Sequence, residues 1–167
     1  MSPREAAELK ALLTRAPRLT LAVAESLTCG RVQASVGAIS GASAFFLGGI
    51  TAYTLDEKAR HLGVDRRAAK AVDCVSAEVA RQMARGAAEL FGSDLAVATT
   101  GYAEPARERG VKAPMAHWAF VHRRRGRIVA ADDGLVVCPG FRRTEVQAAV
   151  TEVVLAELLA YARTLRG

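Results

Sequence analysis

The sequence predicts one α/β domain over residues 1–167, with helices on both faces of a mixed β-sheet in a three-layer α/β/α arrangement. Two short apolar segments, residues 19–24 and 95–100, have the continuous hydrophobic character of strands that are buried on both faces. Residues 115–122 and 128–137 are two strand-like segments joined by a short turn, which is typical of a β-hairpin. Because the chain combines βα units with a hairpin, we expect a mixed sheet.

Length and composition favour a globular domain of ordinary size. The chain has 167 residues, of which 51% are hydrophobic and only 5% aromatic, so small aliphatic side chains must form most of the core. The apolar runs are too short to span a membrane, and the charged N-terminus lacks the apolar region of a signal peptide, so we expect a cytoplasmic protein. The net charge of +6 favours anionic partners, but an arginine-rich composition alone produces the same charge.

The first third of the chain is predicted to fold as helix, strand and helix. Ser2, Pro3 and Glu5 have the spacing of a capping box with proline at the first helical position. The apolar stripe of this first helix consists of Ala7, Leu9, Leu12 and Leu13. Pro17 ends the helix, the strand at 19–24 follows, and a second helix covers residues 30–38.

The middle of the chain is predicted to hold a strand and three helices. Residues 44–53 favour a strand, and the paired Gly48 and Gly49 indicate a bulge or a close backbone approach. Asp56 is the predicted cap of a short helix that Gly63 ends, and residues 65–71 form another. A longer helix covers residues 76–91, and its inward residues are predicted to be Val79, Met83, Ala87 and Leu90.

The last part of the chain is predicted to contain a strand, a loop, a hairpin and a helix. A polar loop, residues 101–114, follows the strand at 95–100, and the hairpin then turns at residues 123–126. The final helix covers residues 142–165. Its apolar positions include Val146, Ala149, Val153, Leu155, Leu158 and Leu159.

The polar turn after the first strand is a candidate functional site. Glu25, Ser26 and Thr28 follow a buried strand and precede a helix, and ligands of open α/β sheets bind at the carboxyl ends of strands. The first N–H groups of the helix lack internal partners, so the N–H groups after Ser26 are candidates for stabilising an oxyanion. A structural alternative is that Ser26 or Thr28 caps the helix.

Several short motifs, taken together in order and at natural spacing, carry a family resemblance. They are Ala24-Glu25-Ser26-x-Thr28-x-Gly30, Gly41-Ala42-Ser43-Ala44-Phe45-Phe46, Gly48-Gly49-Ile50-Thr51-Ala52-Tyr53, Glu57-Lys58, Leu62-Gly63-Val64, Val75-Ser76-Ala77-Glu78-Val79-Ala80, Thr100-Gly101-Tyr102-Ala103 and Pro139-Gly140-x-Arg142. With these motifs, nearly the whole chain resembles the C-terminal domain of the competence/damage-inducible protein CinA. Stand-alone members of that family are nicotinamide-nucleotide amidases, which convert the carboxamide of nicotinamide mononucleotide to a carboxylate and release ammonia in the pyridine nucleotide cycle.

The resemblance implies an amidohydrolase of the Ser–Lys type without metal or cofactor. It places Ser26 at the position of the nucleophile and Lys58 at that of the general base, with Tyr53 beside it as a catalytic residue. The implied substrate-binding residues are Glu25, Thr28, Gly30, Ser43, Thr100, Gly101 and Arg142. Lysine accepts a proton only when neutral, so the pKa of Lys58 must be lowered by burial or by a neighbouring cation such as Arg142. Arg142 is alternatively a ligand of the substrate phosphate.

Two stretches depart from the family pattern. Leu27 and Cys29 stand where the family has a cysteine and a glycine, and the family's glycine-rich substrate loop is replaced at 104–116 by a stretch with arginines, Glu104 and Glu108. These changes motivate an alternative function, a catalytically inactive CinA-like domain that binds a nucleotide or a partner protein.

Other side chains suggest functions that we do not favour. Cys29 near a helix start is a candidate nucleophile or redox thiol, whereas Cys74 and Cys138 are expected to be buried and inert. The cysteines and histidines show no metal-ligand spacing. Arg123–Arg125 lack the motifs of a nucleic-acid-binding module, and we interpret them as a solvated hairpin tip. The resemblance implies a small nucleotide as the partner, and the last helix is a candidate subunit contact of a homodimer or higher homo-oligomer.

Overall fold

Five strands form one mixed sheet in the computed structural model, which describes residues 1–166. The strands are β1 (Leu21–Glu25), β2 (Phe46–Thr51), β3 (Leu95–Tyr102), β4 (Met115–Arg124) and β5 (Arg127–Val137). Their order across the sheet is β2-β1-β3-β4-β5. β1 is parallel to both β2 and β3, whereas β3 with β4 and β4 with β5 are antiparallel. The predicted mixed sheet is therefore confirmed.

Six α-helices cover the two faces of the sheet. They are α1 (Pro3–Thr14), α2 (Arg31–Gly37), α3 (Leu55–Leu62), α4 (Arg66–Ala71), α5 (Ala77–Phe91) and α6 (Arg143–Thr164), with short 3₁₀ turns at Ala42–Ala44 and Arg107–Arg109. One core joins α1, α2 and α6 to one face, and a second core joins α3, α4 and α5 to the other. This is the predicted three-layer α/β/α arrangement.

The two cores differ in side-chain size because successive strand residues point to opposite faces. In β1 and β3 the larger residues Leu21, Val23, Leu95 and Val97 face α1, α2 and α6. The alternate residues Ala22, Ala24, Ala96 and Ala98 face α5. The small side chains leave room for α5 to lie close to the sheet. The low aromatic content therefore agrees with a layer of alanine side chains between the sheet and α5.

The strand register places three polar segments at one edge of the sheet. Glu25 pairs with Thr51 of β2, and Ala24 pairs with Ala98 of β3. The residues that follow these positions, beginning with Ser26, Ala52 and Thr99, therefore share the carboxyl edge. In an open α/β sheet that edge is the usual place for a ligand.

Most of the local predictions are confirmed. Ser2 and Glu5 form the capping box of α1, and Gly63 and Gly92 end α3 and α5 with left-handed backbones. The register of β2 against β1 contains the bulge that its two glycines indicate. A side chain at Gly48 would lie 2.9 Å from the ring of Phe91, so the close approach is present as well.

Four local predictions were wrong in detail. Leu90 is 51% exposed, because Phe91 occupies the inward position in the last turn of α5. Ala7 is exposed, although Leu9 and Leu13 of the same stripe are buried. Thr54, not Asp56, caps α3 by accepting the Glu57 N–H. β2 covers only Phe46–Thr51, since a 3₁₀ turn precedes it.

Within residues 1–166, none of the helices combines the length and the apolar character that crossing a membrane would require.

Candidate active site

The turn after β1 is held by the carboxylate of Glu25, which is fully buried. Its two oxygens accept the N–H groups of Gly30 at 3.0 Å, Val32 at 3.1 Å and Gln33 at 2.8 Å. These are N–H groups of the first turn of α2 that the helix itself leaves without partners. Glu25 therefore performs the capping that was considered for Ser26 or Thr28, and it leaves the Ser26 hydroxyl free for another contact.

Two further hydrogen bonds fix the same turn to its surroundings. The hydroxyls of Thr28 and Thr99 lie 2.7 Å apart and are both buried, which joins the turn to β3. Gln147 of α6 donates its side-chain N–H to the Leu27 carbonyl at 2.8 Å. The backbone around Ser26 is thus anchored from three sides.

Lys58 reaches Ser26 from the first half of α3. Its side chain is only 1% exposed, and its Nζ lies 3.0 Å from Ser26 Oγ. The same Nζ donates to the carbonyl oxygens of Ala52 at 2.9 Å and Tyr53 at 2.8 Å. All three contacts of the amine are made to neutral oxygens, so no carboxylate holds it in the charged form.

Burial favours the neutral form of Lys58 in this pair. Removal from water lowers the pKa of Lys58 below its ordinary value, because the charged form loses more hydration than the neutral one. A neutral amine keeps two N–H bonds, which the carbonyls of Ala52 and Tyr53 accept. Its lone pair is then left facing the Ser26 hydroxyl. This arrangement allows Lys58 to take a proton from Ser26.

A cavity of about 450 Å³ opens next to the pair at the carboxyl edge of the sheet. Its size is within the range of small-molecule sites. The lining residues are Ser26, Leu27, Tyr53, Leu55, Lys58, Lys70, Asp73, Cys74, Val75, Thr100, Gly101, Tyr102 and Arg109. Ser26, Tyr53, Lys58, Thr100 and Gly101, which sequence patterns indicated, are therefore brought together.

Three of the residues implied by the resemblance, Tyr53, Thr100 and Gly101, contact their surroundings in different ways. Tyr53 contacts Lys58 with its backbone carbonyl, while its ring is 51% exposed at the rim. Thr100 donates its hydroxyl to the Cys74 carbonyl at 2.7 Å. A side chain at Gly101 would meet the backbone of Ala116 at 2.6 Å, so this position keeps β3 and β4 close.

Other candidate residues lie away from the cavity lining. Glu25, Thr28 and Gly30 build the turn, as described above. Ser43 is exposed and precedes β2, whose first residue lies at the opposite edge of the sheet. The Arg142 side chain is 85% exposed and pairs with Glu145 at 3.0 Å, so it is not the cation that lowers the pKa of Lys58. Burial has that role instead.

The sequence did not indicate Arg143 or several of the residues that line the cavity. Arg143 contacts Glu104 at 2.9 Å and the Tyr53 hydroxyl at 3.4 Å, so it reaches the rim. The missed lining residues Lys70, Asp73, Cys74, Tyr102 and Arg109 belong to the end of α4, the α4–α5 connection, the end of β3 and the following loop. The motif Thr100-Gly101-Tyr102-Ala103 and the arginines of the altered 104–116 loop were the signals that lay closest to them.

The three cysteines lie in different surroundings. Cys138 is buried as expected, and Cys29 is exposed. Cys74 is only half-buried and lines the cavity, contrary to the expectation that it is buried. Burial raises the pKa of the Cys74 thiol, which keeps it protonated beside Lys58.

Two N–H groups near Ser26 have no acceptor within residues 1–166. They belong to Leu27 and Thr28, directly after the serine. Leu27 lines the cavity whereas Thr28 does not, so the Leu27 N–H is the candidate for stabilising an oxyanion formed on a substrate carbonyl. The part of the chain that the structure describes contains no cluster of three or more histidine, cysteine or acidic side chains arranged to hold a metal.

Comparisons with known proteins agree with the fold. The family model of the CinA C-terminal domain matches residues 4–162. A CinA-like protein from Geobacter metallireducens is 50% identical over 95 residues, which are 57% of this chain and 23% of that protein. The match thus spans less than a quarter of the length of that curated relative.

Two solved structures extend the similarity to nearly the whole chain. A competence-damaged protein (CinA) superfamily protein from Enterobacter cloacae has a TM-score of 0.85 at 25% identity, covering 96% of this chain and 91% of that chain. A CinA superfamily protein from Escherichia coli has a TM-score of 0.82 at 29% identity, covering 93% and 87%.

Proposed function

We propose, because this chain belongs to the CinA C-terminal domain family, that it is a Ser–Lys amidohydrolase that needs no metal. The favoured substrate is nicotinamide mononucleotide or a related nucleotide amide, which is converted to the carboxylate and ammonia. The observation that carries the proposal is the 3.0 Å contact between the buried Lys58 Nζ and Ser26 Oγ at the cavity.

The proposed reaction begins with proton transfer from Ser26 Oγ to the neutral Lys58 Nζ. The oxygen attacks the carboxamide carbon, and the N–H group of Leu27, which lines the cavity, donates to the oxyanion that forms. The C–N bond then breaks, and Lys58 returns the proton to the leaving nitrogen, which departs as ammonia. A serine ester of the acid remains.

Water completes the reaction. Lys58, neutral again, takes a proton from a water molecule that attacks the ester carbonyl. The ester bond to Ser26 breaks, its oxygen receives the proton from Lys58, and the carboxylic acid leaves and loses its remaining proton to water, giving the carboxylate. The carbonyls of Ala52 and Tyr53 hold the amine in place during both halves.

The second candidate is a domain that binds a nucleotide or a partner protein without catalysis, as the altered 104–116 loop suggests. That function does not require a buried lysine beside the serine. The burial and the position of Lys58 support the catalytic proposal instead, because an unused buried amine would only lower stability.

Ammonia release from nicotinamide mononucleotide tests the proposal. The unmodified protein should release ammonia, and Ser26→Ala should lower the rate by about three orders of magnitude or more. Ser40→Ala is the matched control, since this serine is exposed between α2 and the 3₁₀ turn at Ala42–Ala44 and is not among the candidate site residues. Release that persists in Ser26→Ala, or no release by the unmodified protein, would overturn the proposal.

A further inference from the structure

We infer that Lys70, Asp73 and Arg109 form a charged wall of the cavity that selects substrates with an anionic group remote from the reacting amide. This inference rests on the proposed function and assigns its substrate selection to particular residues. None of the three was among the site residues indicated by sequence patterns.

The charged wall is assembled from two separate parts of the chain. Lys70 lies in the last turn of α4 and Asp73 in the connection to α5, whereas Arg109 belongs to the 3₁₀ turn between β3 and β4. Arg109 Nη2 lies 3.5 Å from one carboxylate oxygen of Asp73, and the Tyr102 hydroxyl donates to the other at 3.0 Å. All of these residues line the same cavity as Ser26 and Lys58.

The wall carries more positive than negative charge. Asp73 is the only carboxylate among the described cavity-lining residues, it pairs with Arg109, and Lys70 lines the same cavity as a second cation of the wall. Within residues 1–166, Lys70 has no carboxylate within ion-pair distance. Because the buried Lys58 tends toward its neutral form, it adds little positive charge at the other end. The anionic group of a ligand is therefore attracted to the charged wall and not to the end of the cavity at Ser26 and Lys58.

The existing ion pair is weak enough for a ligand to replace. The Arg109 side chain is 52% exposed and that of Asp73 is 42% exposed. Such exposed pairs contribute little to stability. A phosphate monoester carries nearly two charges and accepts two parallel N–H bonds from one guanidinium, so it should displace Asp73 from Arg109.

Asp73 limits how strongly the wall attracts an anion. Its backbone is left-handed, with φ of 51°, a conformation that aspartate and asparagine tolerate better than most residues. Asp73→Asn therefore removes the charge without adding backbone strain. The variant should bind anionic ligands more tightly because Arg109 loses its competing carboxylate.

Calorimetric binding to the full chain with Ser26→Ala tests the wall without depending on turnover. The probes are nicotinamide mononucleotide and nicotinamide riboside, which differ by the phosphate. Lys70→Gln and Arg109→Gln should each weaken mononucleotide binding by about ten-fold, and leave riboside binding within about two-fold. Asp73→Asn should tighten mononucleotide binding by several-fold.

Arg107→Gln is the control, because Arg107 lies in the same 3₁₀ turn but does not line the cavity. It should bind both probes like the Ser26→Ala parent. Equal weakening of both probes, no effect of either substitution, or no mononucleotide binding at all would overturn the inference. If the binding pattern is found but the unmodified protein releases no ammonia, the proposed function fails and the anion-selecting wall stands.

Discussion

The central residue of the site is Lys58, because its environment opposes its charge. Desolvation lowers its pKa, and its three contacts are a hydroxyl and two backbone carbonyls. An exposed lysine would be protonated at neutral pH and useless as a base. Burial thus suits this helix residue to the proposed role of proton acceptor for Ser26.

The pH dependence of kcat/KM should show whether Lys58 acts as the base. Below the pKa of Lys58 the ammonium has no lone pair, so kcat/KM for amide hydrolysis should rise with pH through that lowered pKa. The measurement is ammonia release across neutral and alkaline pH at low substrate concentration. A flat or falling profile on the acid side would contradict the role of Lys58 as a base.

Lys58 should also lower the stability of the fold. Its pKa is below 10.5 in the folded protein but near 10.5 when the chain is unfolded, so between these values the unfolded state holds more protons. The free energy of unfolding should therefore rise with pH in that window. Lys58→Met should remove this pH dependence and raise stability at neutral pH by about 1 kcal/mol.

Urea unfolding at several pH values measures the effect. The Tyr53 carbonyl, which loses its Lys58 donor in Lys58→Met, belongs to a residue that lines the cavity and can accept water instead. Lys112→Met is the control, because Lys112 is exposed and should change stability little. A marked loss of stability in Lys58→Met would contradict this prediction and show that the hydrogen bonds of the amine stabilise the fold.

The buried hydroxyl pair Thr28–Thr99 should behave as one unit. Thr28→Val or Thr99→Val leaves the other hydroxyl without its partner and should cost about 1 to 3 kcal/mol. The double variant removes both polar groups, so its loss should be smaller than the sum of the single losses. Additive losses in urea unfolding would show that the hydroxyls are not coupled.

At the residue scale, sequence motifs predicted positions better than side-chain directions. The family resemblance indicated Ser26 and Lys58, which lie side by side. It did not show that Arg143, and not Arg142, turns toward Tyr53, because α6 begins between them. Nor did it show that Tyr53 meets Lys58 through its carbonyl, since a residue type reveals nothing about backbone contacts.

At the scale of elements, α5 sets the position of α3, which carries Lys58. Gly86 of α5 lies against the backbone of Leu62, the last residue of α3. An added Cβ would lie 2.5 Å from Leu62 Cα and still nearer to its carbonyl oxygen. The absence of a side chain at this position therefore permits the close crossing of the two helices.

Gly86→Ala should displace α3 and weaken the site. We expect a loss of stability of about 1 to 3 kcal/mol, because backbone atoms must move, together with lower amidase activity. Gly37→Ala in α2 is the matched control, since a Cβ there meets nothing within 4 Å. That change should be neutral or stabilise the protein by about 0.5 kcal/mol. Thermal unfolding that ranks the two variants in the reverse order would contradict this account of the helix crossing.

Hydrophobic patterns predicted most elements because each pattern is local. The buried runs of β1 and β3 and the glycines that end α3 and α5 carry their signals within a few residues. The exposure of Leu90 was missed because it depends on where α5 leaves the sheet. Capping of α2 by Glu25 was missed because the carboxylate reaches forward over five to eight residues.

At the scale of the whole molecule, the parallel arrangement of β1 with β2 and β3 creates the site. It brings the ends of three strands to one edge, where the turn of Ser26, the segment before α3 and the end of β3 meet. Sequence order predicted this edge but not the charged wall, since Lys70 and Arg109 are brought to the cavity by tertiary packing.

The catalytic pair is tested most directly by comparing kcat/KM for ammonia release in Ser26→Ala, Lys58→Met and the double variant. If the two side chains act as one unit, each single change should lower the rate to the same low level, and the double change should lower it no further. Near-normal release by Lys58→Met, or a double variant whose loss is the product of the single losses, would contradict the Ser26–Lys58 mechanism.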